Sequence, residues 1–136
     1  MMYKSKLLHF LFLLLFVSIP AQNLDSIRVD GIYQTKCVKF ENSEYYSNLR
    51  FFPNGSVIYV SVNCDTTIEQ LQKWFNEDYK KFGIGNFKIN GKKINGEVEN
   101  IIFNGKIKQD KIILRTYAYN VNTREKRTFK FKKLIK

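Results

Sequence analysis

The sequence predicts an all-β fold: a mainly antiparallel, eight-stranded barrel interrupted by one helix and preceded by a signal peptide. Three observations carry this reading. Asn-Gly recurs at 54–55, 90–91, 95–96 and 104–105, and this pair suits the positive φ angles of tight hairpin turns. The segments between these turns are rich in Ile, Val, Phe, Tyr and Thr, and several alternate apolar with polar residues. One stretch alone, residues 66–80, has helical spacing instead.

In chain order, residues 1–21 open with Lys4 and Lys6, continue through the apolar LLHFLFLLLFV and end in SIPA. That is the order of a signal peptide, with cleavage expected after Ala21. The apolar run from Leu7 to Ile19 is short for a span of about 20 residues, so a retained anchor is the rival reading. Membrane association is expected only through an uncleaved segment of this kind. A lipoprotein needs Cys just after the cut, and Gln22 stands there. Residues 22–30 read as a flexible lead and 31–136 as a single barrel domain.

Strands are expected over 31–40, 45–52, 56–63, 84–89, 92–96, 100–107, 111–119 and 125–133. Asn95-Gly96 follows Asn90-Gly91 too closely to close a full strand, so one of the two is read as a bulge, and Asn104-Gly105 as a bend. Between the third and fourth strands, Ile68, Leu71, Phe75, Tyr79 and Phe82 recur at helical spacing. Thr66 with Glu69 reads as a capping box, and Gly83 as the stop. Sequential strands joined by tight turns form a barrel or a sandwich, and closure removes exposed edges. Eight strands enclose packed side chains or one small ligand.

The charge is +11, from 23 Lys and Arg against 12 Asp and Glu. A basic surface favours anionic partners. The same richness in Lys, Asn, Ile, Phe and Tyr is also what an A/T-rich genome encodes, so background composition is the competing account. His9, the single histidine, lies in the signal segment. Cleavage therefore leaves no Ser-His-Asp triad, no Cys-His pair and no histidine zinc site. Two cysteines cannot supply four thiolates either. No enzyme, metal or cofactor is expected.

Gly31-Ile32-Tyr33 heads the first strand, the run NLRFFPNGSVIYVS spans 48–61, and TIEQLQKWF follows at 67–75. These resemble a Gly-x-Trp strand start and a Tyr-Leu-Arg-Phe-x-x-Asp/Asn-Gly hairpin found in small exported bacterial lipocalin-like barrels, and similarly in the C-terminal barrel of a group of F-box proteins. RTFKFKKL at 127–134 looks like the closing strand of the same group. Tyr33 stands where the group has Trp, and Cys37 and Cys64 belong to none of its motifs. The resemblance implies a lipocalin-like up-and-down barrel and no particular activity. It also implies that a late-strand arginine, Arg127 or Arg115, covers Tyr33.

Several residues admit two readings. Arg50 lies between Leu49 and Phe51, so its side chain points to the opposite face. It is either an outward basic contact or a stem covering apolar surface with its head in water. Cys37 and Cys64 permit one intramolecular disulfide, with both side chains read as inward-facing; the alternative is two buried thiols. Trp74 and Phe75 point about 100° apart on the helix, as a plug or a lid at one barrel end. Tyr33, Leu49, Phe51, Ile58, Val60, Trp74, Phe75, Phe129 and Phe131 are the interior candidates for contact with an apolar ligand. Lys126, Lys130, Lys132 and Lys133 form a basic patch, either a polyanion stripe or a guard on an edge strand.

The functional expectation is an exported binding module, periplasmic or secreted, holding a small apolar ligand or an envelope protein. The alternatives are an electrostatic binder of an anionic surface or nucleic acid through the C-terminal strand, and a solid-core interaction protein. Nucleic acid is the less favoured partner, because no aromatic residue shares the outward face of 125–133 to stack a base.

Overall fold

The computed structural model describes residues 27–75 and 83–134. The expected signal peptide and residues 76–80 of the expected helix lie outside these residues. Nine strands are described: β1 (Gly31–Gln34), β2 (Val38–Phe40), β3 (Ser43–Phe51), β4 (Ser56–Asn63), β5 (Ile84–Asn90), β6 (Lys93–Val98), β7 (Ile101–Lys108), β8 (Lys111–Ala118) and β9 (Thr123–Lys133). One helix, α1 (Ile68–Trp74), lies between β4 and β5. From β3 to β9 each strand pairs antiparallel with the next. β1 pairs with β9 on one side and β3 on the other, which closes an eight-stranded barrel. β2 pairs with β3 alone among the described strands.

The expected first strand, 31–40, is thus two strands. Tyr33 stands opposite Leu49, so an unbroken ladder would put Val38 opposite Glu44, but Val38 stands opposite Tyr45. One extra residue has entered between the two pairings, which is a β-bulge. It reverses the facing of every later residue in the segment. Hence Cys37 does not share the inward face of Tyr33. Cys64 also packs in a cluster on the outside of the barrel. The two cysteines form a disulfide, Cα–Cα 5.9 Å, that joins the segment between β1 and β2 to the residue after β4.

The barrel interior is filled. Tyr33, Leu49, Phe51, Val57, Ile94, Val98, Phe103, Ile107, Ile112, Leu114 and Phe129 make one buried cluster, with Tyr59, Phe87, Ile89 and Phe131 packed against it. Rings meet edge to face: Phe51 with Tyr33 at 5.7 Å and with Phe87 at 4.9 Å. Neither Asn95-Gly96 nor Asn104-Gly105 forms a bulge or turn, since the β6–β7 ladder runs through both. At Gly96 the reason is room: an added Cβ would lie 2.3 Å from the Phe103 ring. Asn90-Gly91 does make a turn, with Gly91 at φ +61°.

A second apolar cluster lies outside the wall. Ile32, Tyr46, Phe52, Ile58 and Val60 turn outward and are covered by Leu71 and Phe75 of the α1 segment, with Trp74 at its margin. β4 is apolar on both of its faces, Val57 and Tyr59 inward and Ile58 and Val60 outward. A strand of that kind needs a second layer, and α1 supplies it. The helix begins one residue later than expected, with Thr67 as the cap and Gln70 completing the capping box.

Candidate functional site

Of the interior candidates, Tyr33, Leu49, Phe51, Phe129 and Phe131 face the barrel interior. Ile58, Val60, Trp74 and Phe75 do not; they belong to the outer cluster beneath α1. The register explains it, because Val57 stands opposite inward Phe51 and so Ile58 and Val60 take the other face. The helix is therefore neither plug nor lid of a barrel end. The four clefts of about 370–690 Å³ lie along the outer wall or at its rim.

Arg50 faces outward as expected, but its head is not in water. Its guanidinium donates to the Phe75 carbonyl at 2.6 Å, just past the end of α1, and lies 5.0 Å over the Phe52 ring. A cation suits the negative end of a helix, so Arg50 ties α1 to β3.

At one barrel end, Arg28 lies 3.8 Å over the Phe131 ring and is paired with Asp30 at 3.0 Å. The Arg28 backbone N–H donates to the Tyr33 hydroxyl at 2.9 Å. Ile27 is buried in the interior cluster. The lead expected to be flexible is thus tied down at residues 27–30. Neither Arg127 nor Arg115 covers Tyr33: Arg127 points inward at the other end, Arg115 faces outward, and Arg28 lies over the neighbouring Phe131. The Arg28 hydrogen bond holds the Asp30 carboxyl below the usual range, while burial pushes the Tyr33 hydroxyl up.

The opposite end carries a polar cluster on the inward face. Arg127 donates to the Ser47 hydroxyl at 3.0 Å and to the Tyr45 hydroxyl at 3.3 Å, and pairs with Glu125. Ser47 shares a hydrogen bond with Ser61 at 2.8 Å and accepts one from Tyr59 at 3.1 Å. Arg127 stands opposite inward Leu114, so it leaves the C-terminal basic group and points indoors. Lys133 shares that parity and stands opposite Gly31 at the other end, so it too separates from Lys126, Lys130 and Lys132. Lys132 donates to Gln34, whose amide donates to Asn48 at 2.9 Å.

The remaining basic residues gather across four strands. Lys93 stands directly opposite Lys106, Arg115 opposite Lys126, and Lys111 opposite Lys130. A cleft of about 560 Å³ on this face is lined by Lys93, Lys106, Lys108, Arg115 and Lys126, with Asn95 and Asn104 between them and no carboxylate. Beside it, Arg124 stacks 4.4 Å over the Tyr117 ring. Reading β9 alone finds only its own lysines. The alternation of Lys93, Asn95, Asn104, Lys106 and Arg115 in the neighbouring strands is the sequence signal for the rest. Among the described residues no cluster of three or more His, Cys, Asp or Glu is placed to hold a metal ion.

Fold and surface together define a closed antiparallel barrel with a buried aromatic and aliphatic core, a helix-covered apolar sector and an open cationic sector. No family model, no curated protein and no solved structure matches the chain. The described residues contain one disulfide and no helix long and apolar enough to cross a membrane.

Proposed function

We propose that this is an exported, non-enzymatic barrel whose outer face over β6–β9 binds an anionic polymer or surface of the cell envelope. The carrying observation is the direct opposition of like charges, Lys93 to Lys106, Arg115 to Lys126 and Lys111 to Lys130, around a cleft with no acid in its lining. Like charges directly opposite one another on a ladder disfavour the fold. An anionic partner reverses that sign by neutralising them. The apolar-ligand reading has less support, because Tyr33, Phe51, Phe103 and Phe129 occupy the interior such a ligand would need. Export rests on the n-region, apolar run and SIPA of residues 1–21, and on a disulfide of the kind that persists in oxidising compartments. The lipocalin-like resemblance of the 48–61 hairpin bears on the fold and implies no particular activity or partner.

The test is a salt titration of heparin affinity. Affinity is expected to fall linearly on logarithmic axes, and replacing Lys106, Arg115 and Lys126 by Gln should flatten the slope by about 2–3 units. Replacing Lys39, Lys73 and Lys88 instead should leave it nearly unchanged. Equal effects of the two triple variants would reduce the face to background charge and sink the proposal.

A further inference from the structure

β1 pairs with β9 only as far as Gln34 opposite Lys130. Beyond that point the bulge carries the chain into β2, which follows β3, while β9 runs on beside β8 to Thr123. The barrel wall therefore has a seam between β2 and the first half of β9. Backbone direction along the seam follows from hydrogen bonds further down the strand. The Phe131 N–H donates to Asp110 on the β8 side, and the Leu134 N–H donates to Asp30 on the β1 side. Residues alternate along a strand, so Thr128, Lys126 and Arg124 turn their N–H and C=O groups away from β8, into the seam. On the other bank, Glu44 accepts from Cys64 on the β4 side, so Tyr45 and Ser43 face β2 and bond Val38 and Phe40. That leaves Lys39 with its backbone toward the seam. Among the described residues none of these four has a ladder partner there.

The seam opens into a cleft of about 690 Å³ lined by Lys36, Val38, Arg127, Thr128 and Lys130 among others. Its banks are mainly cationic: Lys36 and Lys39 on one side, with Glu44 opposite Lys39, and Arg124, Lys126 and Lys130 on the other, with Glu125 engaged by Arg127. Val38 and Phe40 are exposed on β2, Phe40 by 63%. Two exposed strand edges facing one gap are a template for a further strand.

We infer that this seam receives an extended peptide segment of another protein by strand addition, with Asp or Glu at the alternate positions that face outward. Those positions would lie beside Lys126 and Lys130, where a carboxylate is favoured and a cation is excluded. The intervening positions would meet Val38 and the hydroxyls around Arg127, which suits Val or Thr. The inference shares Lys126 and Lys130 with the polyanion face but differs from it in requiring backbone donors and acceptors as well as charge.

The probe is a short synthetic peptide alternating Glu and Val, added to the isotope-labelled full chain. Saturable shifts and slowed hydrogen exchange are expected at the amides of Arg124, Lys126, Thr128 and Lys39. The same peptide with alternate backbone amides N-methylated keeps its charge but loses its donors toward one edge, and should bind about tenfold more weakly or less well still. Thr128→Pro removes one edge donor that the fold does not use. It should weaken peptide binding similarly while leaving heparin affinity and Tm unchanged. If that variant fails to fold, the N-methylated peptide on the natural chain decides. Equal binding of the two peptides, shifts confined to β6–β8, or self-association of the protein through the same amides without peptide would each overturn the inference.

Discussion

Under α1, the outward residues of β1, β3 and β4 are Ile32, Tyr46, Ile58 and Val60, and they are buried. Across β6 to β9 the same outward positions are Lys93, Lys106, Arg115 and Lys126, and they are exposed. The backbone ladder is antiparallel in both sectors, and both contribute inward residues to the same apolar cluster. What differs is whether a second layer is present. The outer wall of a barrel is thus two kinds of surface, one a continuation of the core and the other a place to meet solvent or a partner.

The largest test concerns the shared interior. Phe51→Ala should cost about 3–5 kcal/mol in denaturant unfolding, the range for a fully buried Phe. A loss below about 1 kcal/mol would mean that β3 is out of register.

The helix-covered sector comes next. Leu71 is fully buried against the outer wall, so Leu71→Ala should cost about 2–4 kcal/mol. If the cost were negligible, α1 would only rest on the barrel, and the distinction between the sectors would collapse.

Alkaline pH sharpens the same distinction. Burial pushes the Tyr33 and Tyr46 hydroxyls up, and Tyr46 donates to the Thr66 carbonyl at the approach to α1. Each folded pKa is raised above the unfolded value of about 10, so this stability is complete below about pH 10 and is lost as pH rises through the folded value. Tyrosinate absorbance should show a phase from these two above about pH 10. The double variant Tyr33→Phe, Tyr46→Phe should lack the late phase and lose stability less steeply above about pH 10. A single titration step in the natural chain would contradict the burial described.

The smallest effect has the opposite sign. Lys106→Gln relieves the opposition to Lys93 and should stabilise by about 0.2–1 kcal/mol at low salt, with the gain fading as salt screens the pair. Destabilisation would mean that Lys106 contributes packing and not repulsion.

The eight-strand plan was legible because Asn-Gly turns and alternating apolar residues are local signals. The inward facing of Leu49, Phe51, Phe129 and Phe131 was legible for the same reason. Ile58 and Val60 were misassigned because β4 is apolar on both faces, and alternation cannot say which face is indoors. Cys37 was misassigned because a bulge leaves no composition signature; only the pairing partners reveal it. Arg28 was missed because a cap on a barrel end is defined by distance from Phe131 in space. The basic face was half legible: Lys126, Lys130 and Lys132 lie on one strand, but their alignment with Lys93, Lys106 and Arg115 depends on register.

The closing strand β1 has consequences for how the chain reaches this state. Its four residues join β9, near the far end of the sequence, to β3 close by. The β1–β9 pairing spans most of the described chain, so it is the contact with the heaviest loop-closure entropy, and β topologies of this kind are slow to assemble. The Cys37–Cys64 bond, with a sequence separation of only 27, can form before that contact does. It then holds the β1 segment beside β3, so that β9 arrives at a wall already half built. Oxidation before completion of the barrel would make the last step the docking of one strand and not the meeting of two distant ends.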